Sequence, residues 1–419
     1  MGNKKIKSAV ITNNLFRSLK VYNFRLFFIG QFISLVGTWV QQVASSWLIY
    51  QLTSSSMWLG LAAFAAQIPI FVMTPITGVV ADRFNRHAIF MITQTMLCIQ
   101  SLILGLLVIF NYITPASIVL LNLAMGCINA FDMPVRQSFL FDLVADKQLL
   151  SNAIALNSVV FNSTRLIGPP LAGFLVAQFG EGLCFLINTT TFAGIILALL
   201  LMKDIHYSKI LHTSDFKENI KEGFVYVKNH YPIKSVLILL GLMSLIGMPF
   251  MVLMPVVAVE ILHGDSHTLG FLLGTAGFGA LVGALFMASR SSTTRFENKI
   301  AAGSLLLGST LVIFSFSRNL YCSLILIFII GISLIIQMAS CNTFIQSMVD
   351  DTMRGRVMSL YGMSHIGMAP IGNLIAGAIA QKIGVAHTLL LCGTGCAIVA
   401  LWFYKNLHKL KKHIVRYVR

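Results

Sequence analysis

Long apolar runs separated by short polar links make up most of this chain. Twelve of the runs have about 18 residues or more, the length that an α-helix needs to cross the hydrocarbon layer of a bilayer. They lie at approximately 25–50, 57–81, 88–110, 115–136, 153–179, 182–202, 234–260, 268–289, 300–317, 321–345, 357–381 and 385–404. The pattern predicts an all-α membrane protein with twelve transmembrane helices.

The longest polar link, from Lys203 to Tyr231, divides the predicted helices six and six. Within it, apolar residues recur at helical spacing among Lys and Glu, which predicts an amphipathic helix lying on the membrane surface. These residues are Phe216, Ile220, Phe224 and Val227. We therefore expect an N-terminal six-helix half at 1–202, a cytoplasmic linker at 203–232, and a C-terminal six-helix half with a basic tail at 233–419.

Glycines repeat between the two halves. Gly173 and Gly180 recur as Gly377 and Gly384 at a shift of 204 residues, and a Ser-Leu-aliphatic-Gly tetrapeptide recurs at a shift of 210. A six-helix repeat is typical of transporters whose two halves rock about a site near the middle of the membrane. Chance matches in a glycine-rich chain are the alternative. The repeat favours two pseudo-symmetric six-helix bundles.

Composition agrees with a membrane protein. Only 11% of the residues are charged and 57% are hydrophobic, whereas soluble domains have about 25% charged residues. The net charge of +16 comes from 30 Lys and Arg, and we place 27 of them on one side of the membrane. This asymmetry predicts that both termini are cytoplasmic. It also argues against a nucleic-acid partner, because the charge follows the membrane topology.

No constellation of catalytic or metal-binding residues is recognisable. The sequence contains no phosphate-binding loop, no His-Glu-x-x-His pair and no nucleophile elbow. All seven cysteines fall in apolar runs, where they are expected to be small buried hydrophobes. We therefore expect no enzyme activity, no cofactor and no metal site.

Arg165 is the one cation that we place deep inside a predicted helix. It lies roughly 20 Å from the polar end of the span at 153–179, near the middle of the bilayer. An arginine there costs several kcal/mol unless it faces protein or water. Asn122, Gln41 and Gln42 are predicted at a similar depth, but no Asp or Glu is. Arg165 is therefore either a fixed cation for an anionic group of a substrate, or a structural lock satisfied by amides and carbonyls.

The second predicted helix ends in Gly78-Val-Val-Ala-Asp82-Arg83-Phe-Asn-Arg86-His. This stretch resembles the loop motif of the major facilitator superfamily, Gly-x-x-x-Asp-Arg-x-Gly-Arg-Arg/Lys. The resemblance implies a gating cluster of Gly78, Asp82, Arg83, Arg86 and Asp132, in which Arg86 pairs with Asp132. Such a cluster would break when the cavity opens inward. A positively charged loop without a switching role is the alternative.

Three further stretches extend the resemblance. Gly168-Pro169-Pro170-Leu-Ala-Gly173 resembles the superfamily's antiporter motif, although a packing kink is the alternative interpretation. The Asp132-x-Pro-x-Arg-Gln and Arg354-Gly-Arg-Val stretches are similar to the branch that contains the enterobactin exporter. The resemblance implies the major facilitator fold and export of siderophores or amphiphilic drugs across a bacterial inner membrane.

In that family the first, fourth, seventh and tenth helices line a central cavity. Amides with aromatic neighbours suit a bulky, partly polar organic ligand. Together with the arginine of the fifth helix, the resemblance implies a substrate cavity formed by Arg165, Asn122, Gln41, Gln42, Trp39, Asn129, Gln337 and Asn342.

Proton antiport is implied by the resemblance more than by the residues, because arginine does not titrate in proteins. The titratable candidates near the pathway are His365, Asp132 and Glu260. We expect a monomeric secondary exporter that works by alternating access, with a small organic molecule, a proton and membrane lipids as partners. A lysophospholipid or lipid translocator of the same fold is the alternative, and a membrane-embedded enzyme is a more remote one.

Overall fold

The computed structural model describes residues 16–144, 146–203, 216–289 and 296–409, apart from the side chains at 74–76, 78–79, 81–83, 147–148 and 216–220. These residues are helical almost throughout and contain no strand. We number the longer helices α1 Tyr22–Thr53, α2 Ser56–Arg83, α3 Arg86–Ile109, α4 Pro115–Leu143, α5 Lys147–Leu200, α6 Phe216–Asn229, α7 Tyr231–Gly247, α8 Ser266–Ser289, α9 Phe296–Ser315, α10 Leu320–Met348, α11 Arg354–Ile366, α12 Met368–Ile383 and α13 Val385–Lys405.

Eleven stretches of the described chain are long and apolar enough to cross a membrane. One of them, Leu149–Leu200, has 52 residues, which at helical rise would measure about 78 Å, far more than a bilayer needs. Gly180 interrupts it with a non-helical φ of 75° and ψ of 172°. The sequence places a helix boundary at this glycine. The all-α membrane fold is confirmed, and the count of twelve spans stays a prediction.

The stretch after the linker is a discontinuous helix. α7 ends at Gly247, a 3-10 turn follows at Met248–Met251, and a π-helix at Val257–Ile261 ends the stretch. Proline causes the breaks, because Pro249 and Pro255 lack the N–H that a continuing helix requires. Irregular backbone at membrane depth is tolerated where protein or a cavity surrounds it.

α4 is longer than the sequence predicts. It continues to Leu143, seven residues beyond the predicted end at 136. The extra turns bury Phe139, Leu140 and Leu143 in an aromatic core, where the Phe139 ring lies 5.8 Å from Phe90 and 6.0 Å from Phe27. Burial of these side chains supports a helical extension that hydropathy alone treats as a loop.

α6 is the amphipathic helix that the linker sequence predicts. Glu222 forms an ion pair with Arg356 of α11, and the Tyr226 hydroxyl donates to the Asp350 carboxylate at 3.0 Å. Gly223 lies directly over Arg356, since a Cβ at this glycine would be 3.3 Å from the arginine Cβ. The helix is therefore fastened to the chain that precedes and begins α11.

The described residues form two compact units. One comprises 16–44, 72–113 and 124–203, and the other comprises 45–71, 114–123 and 216–409. The second unit thus includes the end of α1, the start of α2 and the start of α4. The division into halves at 203–232 stays a prediction, because these units follow packing and not chain order.

Candidate functional site

Arg165 lies on the side of α5 that faces protein. Gly168 and Ala172 follow it at one and two turns and are buried, the latter completely. The opposite side exposes large apolar side chains, with Ile167 at 47% and Phe174 at 50%. On a membrane-spanning helix such an exposed apolar stripe is the lipid-facing side. The guanidinium is therefore directed away from lipid.

No side chain in the described chain neutralises Arg165. Its guanidinium has neither a hydrogen bond nor an ion pair with a described residue, and Arg165 is partly exposed. One turn further, Gly168 packs on α1, because a Cβ at this position would collide with the Trp39 side chain. Among the described residues, Arg165 is thus an unneutralised cation one turn from the contact between α5 and α1.

Gln41 belongs to a buried hydrogen-bond network. Its Nε2 donates to Gln100 Oε1 at 2.9 Å, and its Oε1 accepts a hydrogen bond from Asn188 Nδ2 at 2.6 Å. Thr191 Oγ1 then donates to Asn188 Oδ1 at 2.8 Å. The network joins α1, α3 and α5. The other members of the network were not predicted, although four consecutive polar residues at 188–191 in an apolar span are a visible signal in the sequence.

The other residues assigned to the cavity differ in environment. In the first unit, Gln42 is exposed, and Trp39 and Asn129 are partly exposed. In the second unit, Asn122 and Gln337 are buried, the amide nitrogen of Gln337 has no partner among the described residues, and Asn342 accepts a hydrogen bond from Gln346. Their common cavity stays a prediction.

The loop motif is only partly visible, since the side chains of Gly78, Asp82 and Arg83 lie outside the described residues. Arg86 is buried and forms an ion pair with Asp142, Nη1 to Oδ1, at 2.8 Å. The expected pairing of Arg86 with Asp132 is therefore wrong. The acid does come from the end of α4, but from the extra turns beyond residue 136, where hydropathy predicts a polar link.

Asp132 has its own set of partners. It is 1% exposed and accepts hydrogen bonds from Thr93 Oγ1 at 2.8 Å and Gln94 Nε2 at 2.7 Å. Arg136 lies one turn further with an Nη1–Oδ2 distance of 3.5 Å, and its guanidinium lies 5.2 Å from the centre of the Phe161 ring. A buried carboxylate requires such neighbours. Asp132 thus joins α3 to α4.

The antiporter-like motif continues the helix. Pro169 and Pro170 lie inside α5, whose one non-helical residue is Gly180. Gly168 provides the close approach to Trp39 described above, and Gly173 is buried. The motif therefore packs α5 against α1. Its connection with export stays a prediction.

The ends of α1 and α2 contact later helices within the second unit. Tyr50 Oη donates to Glu260 Oε1 at 2.7 Å. Gly60 and Gly377 bring two helix backbones together, since a Cβ at Gly377 would lie 3.0 Å from Gly60 Cα. These contacts lie at the helix ends opposite to the predicted cytoplasmic side, which we call the outer ends. The role of Tyr50 was not predicted from the sequence.

The three proton-coupling candidates are in different states. Glu260 is exposed, whereas Asp132 is buried among its hydrogen-bond partners. His365 Nδ1 is buried without a partner in the described chain, and the backbone oxygen of His365 accepts a hydrogen bond from Ser244. Among described residues no group of three His, Cys, Asp or Glu could hold a metal ion, and the seven cysteines are free.

Known proteins resemble this chain over most of its length. A family model described as transmembrane secretion effector matches residues 14–414. A staphyloferrin A transporter from Staphylococcus aureus is 25% identical over 390 residues, covering 92% of this chain and 97% of the relative. The multidrug efflux pump Tap from Mycolicibacterium fortuitum is 24% identical, covering 84% and 88%. Macrolide efflux protein A from Streptococcus pyogenes is 22% identical, covering 89% and 93%.

Solved transporter structures share the fold. A bacterial homologue of the iron transporter ferroportin, in an inward-facing state, superposes with a TM-score of 0.73 at 14% identity, covering 91% of this chain and 98% of that chain. The nucleoside transporter NupG superposes with a TM-score of 0.70 at 12% identity, covering 91% and 98%. With the match of the family model over nearly the whole sequence, this chain belongs to the transmembrane secretion effector family, a group of major facilitator superfamily transporters.

Proposed function

We propose that this transporter exports a small organic molecule bearing a carboxylate or similar anionic group, of the siderophore type, from the cytoplasm of a bacterium across its inner membrane. The observation that carries the proposal is Arg165, a cation on the protein-facing side of α5 that no described residue neutralises. The names of the relatives support export of siderophores and drugs as the two substrate classes.

Charge distinguishes these two classes. An arginine binds a carboxylate through two parallel N–H···O bonds, which gives both affinity and orientation. In a cavity of low dielectric an unpaired guanidinium also repels cationic drugs. A polyanionic chelator therefore fits Arg165 better than a cationic amphiphile does. A neutral drug remains compatible with the amide residues that the sequence assigns to the cavity, and it is the second candidate.

Contacts at the outer ends support alternating access as the transport mechanism. The Tyr50–Glu260 hydrogen bond and the Gly60–Gly377 backbone contact join α1 and α2 to helices that follow the linker. In our proposal these contacts close the outer side while substrate enters from the cytoplasm, and they separate when it leaves. Proton antiport supplies the energy, and Glu260 is the best-placed carrier because its carboxylate is exposed and takes part in the contact.

Transport in inverted membrane vesicles with an imposed pH gradient tests the proposal. The substrates are a tricarboxylate chelator, its neutral methyl ester and a cationic dye. Arg165→Gln should reduce transport of the chelator more than tenfold and that of the ester little, whereas Arg165→Lys should retain part of it. Arg25→Gln, which changes an exposed arginine at the start of α1, is the control. Equal loss of all three substrates in Arg165→Gln would show a structural role and reject the proposal.

A further inference from the structure

An apolar groove with two lysines at one end lies in the second unit, away from the sites described above. Its volume is about 660 Å³. One face of α7 forms its long wall, from Lys234 through Gly241 to Leu245. The eleven helical steps between these two ends measure roughly 16 Å. Phe224 of α6 and Met363 of α11 contribute to the facing walls.

The two lysines mark one end of the groove with positive charge. Lys228 ends α6 and Lys234 begins α7, and both are exposed. Neither side chain has a hydrogen bond or an ion pair in the part of the chain that the structure describes. Glu222, the acid nearest in sequence, is already paired with Arg356. The groove therefore combines an unneutralised cationic mouth with an apolar interior.

The apolar walls are open to the surroundings. Phe224 is 55% exposed and Ile238 is 41% exposed, and α6 is the amphipathic helix that the sequence places at the membrane surface. Large apolar side chains exposed around a concavity indicate an apolar occupant. At the membrane surface, the abundant apolar molecules are the lipids of the leaflet on the Lys- and Arg-rich side of the protein.

We propose that this groove binds an anionic phospholipid, with one acyl chain along α7 and the phosphate between Lys228 and Lys234. The charge at the mouth selects the headgroup, and the apolar length holds the chain. Because α6 is fastened to α11 through the Glu222–Arg356 ion pair, a bound lipid joins α6, α7 and α11 into one body. The proposal concerns lipid binding and does not depend on the identity of the exported molecule.

Native mass spectrometry of the purified full-length protein tests the site with phosphatidylglycerol and phosphatidylcholine. The native protein should bind phosphatidylglycerol more tightly. The double variant Lys228→Gln, Lys234→Gln should bind it about 25-fold more weakly, since each lysine near an anionic headgroup contributes roughly fivefold in affinity. The double variant Lys221→Gln, Lys405→Gln removes two exposed lysines that do not line the groove and should bind as the native protein does.

A second variant fills the groove and leaves the lysines in place. A Cβ at Gly241 would make only ordinary contacts, the nearest being the Ser364 oxygen at 3.7 Å, so Gly241→Leu should fold and project into the groove. It should also weaken binding of phosphatidylglycerol. Unchanged binding in the double glutamine variant or in Gly241→Leu would overturn the proposal. Equal binding of the two lipids by the native protein, or displacement of phosphatidylglycerol by the tricarboxylate chelator, would overturn it as well.

Discussion

Gly180 and Gly384 adopt the same rare backbone conformation although 204 residues separate them. Their φ and ψ are 75° and 172°, and 84° and 159°. Among the described residues they are the only glycines with positive φ. This region of φ/ψ space is nearly restricted to glycine, since a side chain there costs about 1–3 kcal/mol. The two glycines are separated by the same 204 residues as the sequence repeat, and their shared conformation therefore supports a duplicated six-helix unit.

Alanine at Gly180 or Gly384 should lower the free energy of unfolding by about 1–3 kcal/mol through backbone strain alone, because an added Cβ meets no atom within 4 Å at either position. Thermal unfolding in detergent measures the effect. Gly194→Ala is the matched control, since Gly194 lies in the same α5 with open space around it and a helical φ. It should be neutral or stabilising by up to about 1 kcal/mol. Equal melting temperatures for the three variants would contradict the strain argument.

Gln41 and Gln42 are neighbours with opposite expected roles. Gln41→Leu removes the acceptor of Asn188 Nδ2 and the donor to Gln100 in the interior, so it should destabilise the protein by about 1–3 kcal/mol. Gln42 is exposed, so Gln42→Leu should change stability by less than about 0.5 kcal/mol and alter transport of a polar substrate. Thermal unfolding and vesicle transport, measured on both variants, separate the roles. A stable Gln41→Leu protein would refute the structural assignment.

Asp142 is the acid that forms the ion pair with Arg86. Asp142→Ala leaves a buried guanidinium without this carboxylate, which should cost about 3 kcal/mol, and the change should be visible as a lower melting temperature. Asp132→Ala disturbs different partners, Thr93 and Gln94. A double-mutant cycle with Arg86→Ala should therefore give coupling with Asp142 and little with Asp132. Stronger coupling with Asp132 would restore the pairing that the family motif implies.

Glu260 and Tyr50 test the coupling and the outer contact separately. Glu260→Gln keeps an oxygen acceptor for the Tyr50 hydroxyl but cannot titrate, so transport driven by a pH gradient should be lost. Tyr50→Phe removes the hydrogen bond and should slow transport while leaving it dependent on the gradient. Asp351→Asn, at an exposed carboxylate, is the control. Gradient-driven transport at the native rate in Glu260→Gln would move proton coupling to Asp132 or His365.

The sequence is sufficient to predict elements whose signal is local. The apolar runs predict the membrane helices because their length matches the bilayer, and the periodicity from Phe216 to Val227 predicts α6 because apolar residues share one face. The helix boundary at Gly180 is predicted because this glycine lies between the apolar runs at 153–179 and 182–202, and the repeat places Gly384 at the equivalent position. Each of these needs only neighbouring residues or the repeat.

Side-chain pairs between distant segments could not be predicted from these local signals. Hydropathy ends α4 near 136, because Asp142 is charged, whereas buried Phe139 and Leu143 extend the helix and bring Asp142 to Arg86. The Gln41–Asn188 bond likewise joins segments 147 positions apart. One amino-acid sequence by itself contains no signal that tells which buried polar groups meet, since many amides are equally suitable partners.

The attachment of α6 to α11 limits which part of the linker can connect the two predicted halves freely. Glu222 and Tyr226 bind this helix to Arg356 and Asp350. The helix therefore packs with the C-terminal part of the chain and is not a flexible connection. A chain break engineered anywhere from 204 to 215 would therefore give two polypeptides, one that contains α1–α5 and one that contains α6–α13. Co-expressed as separate genes, the two pieces would retain every contact described for α6.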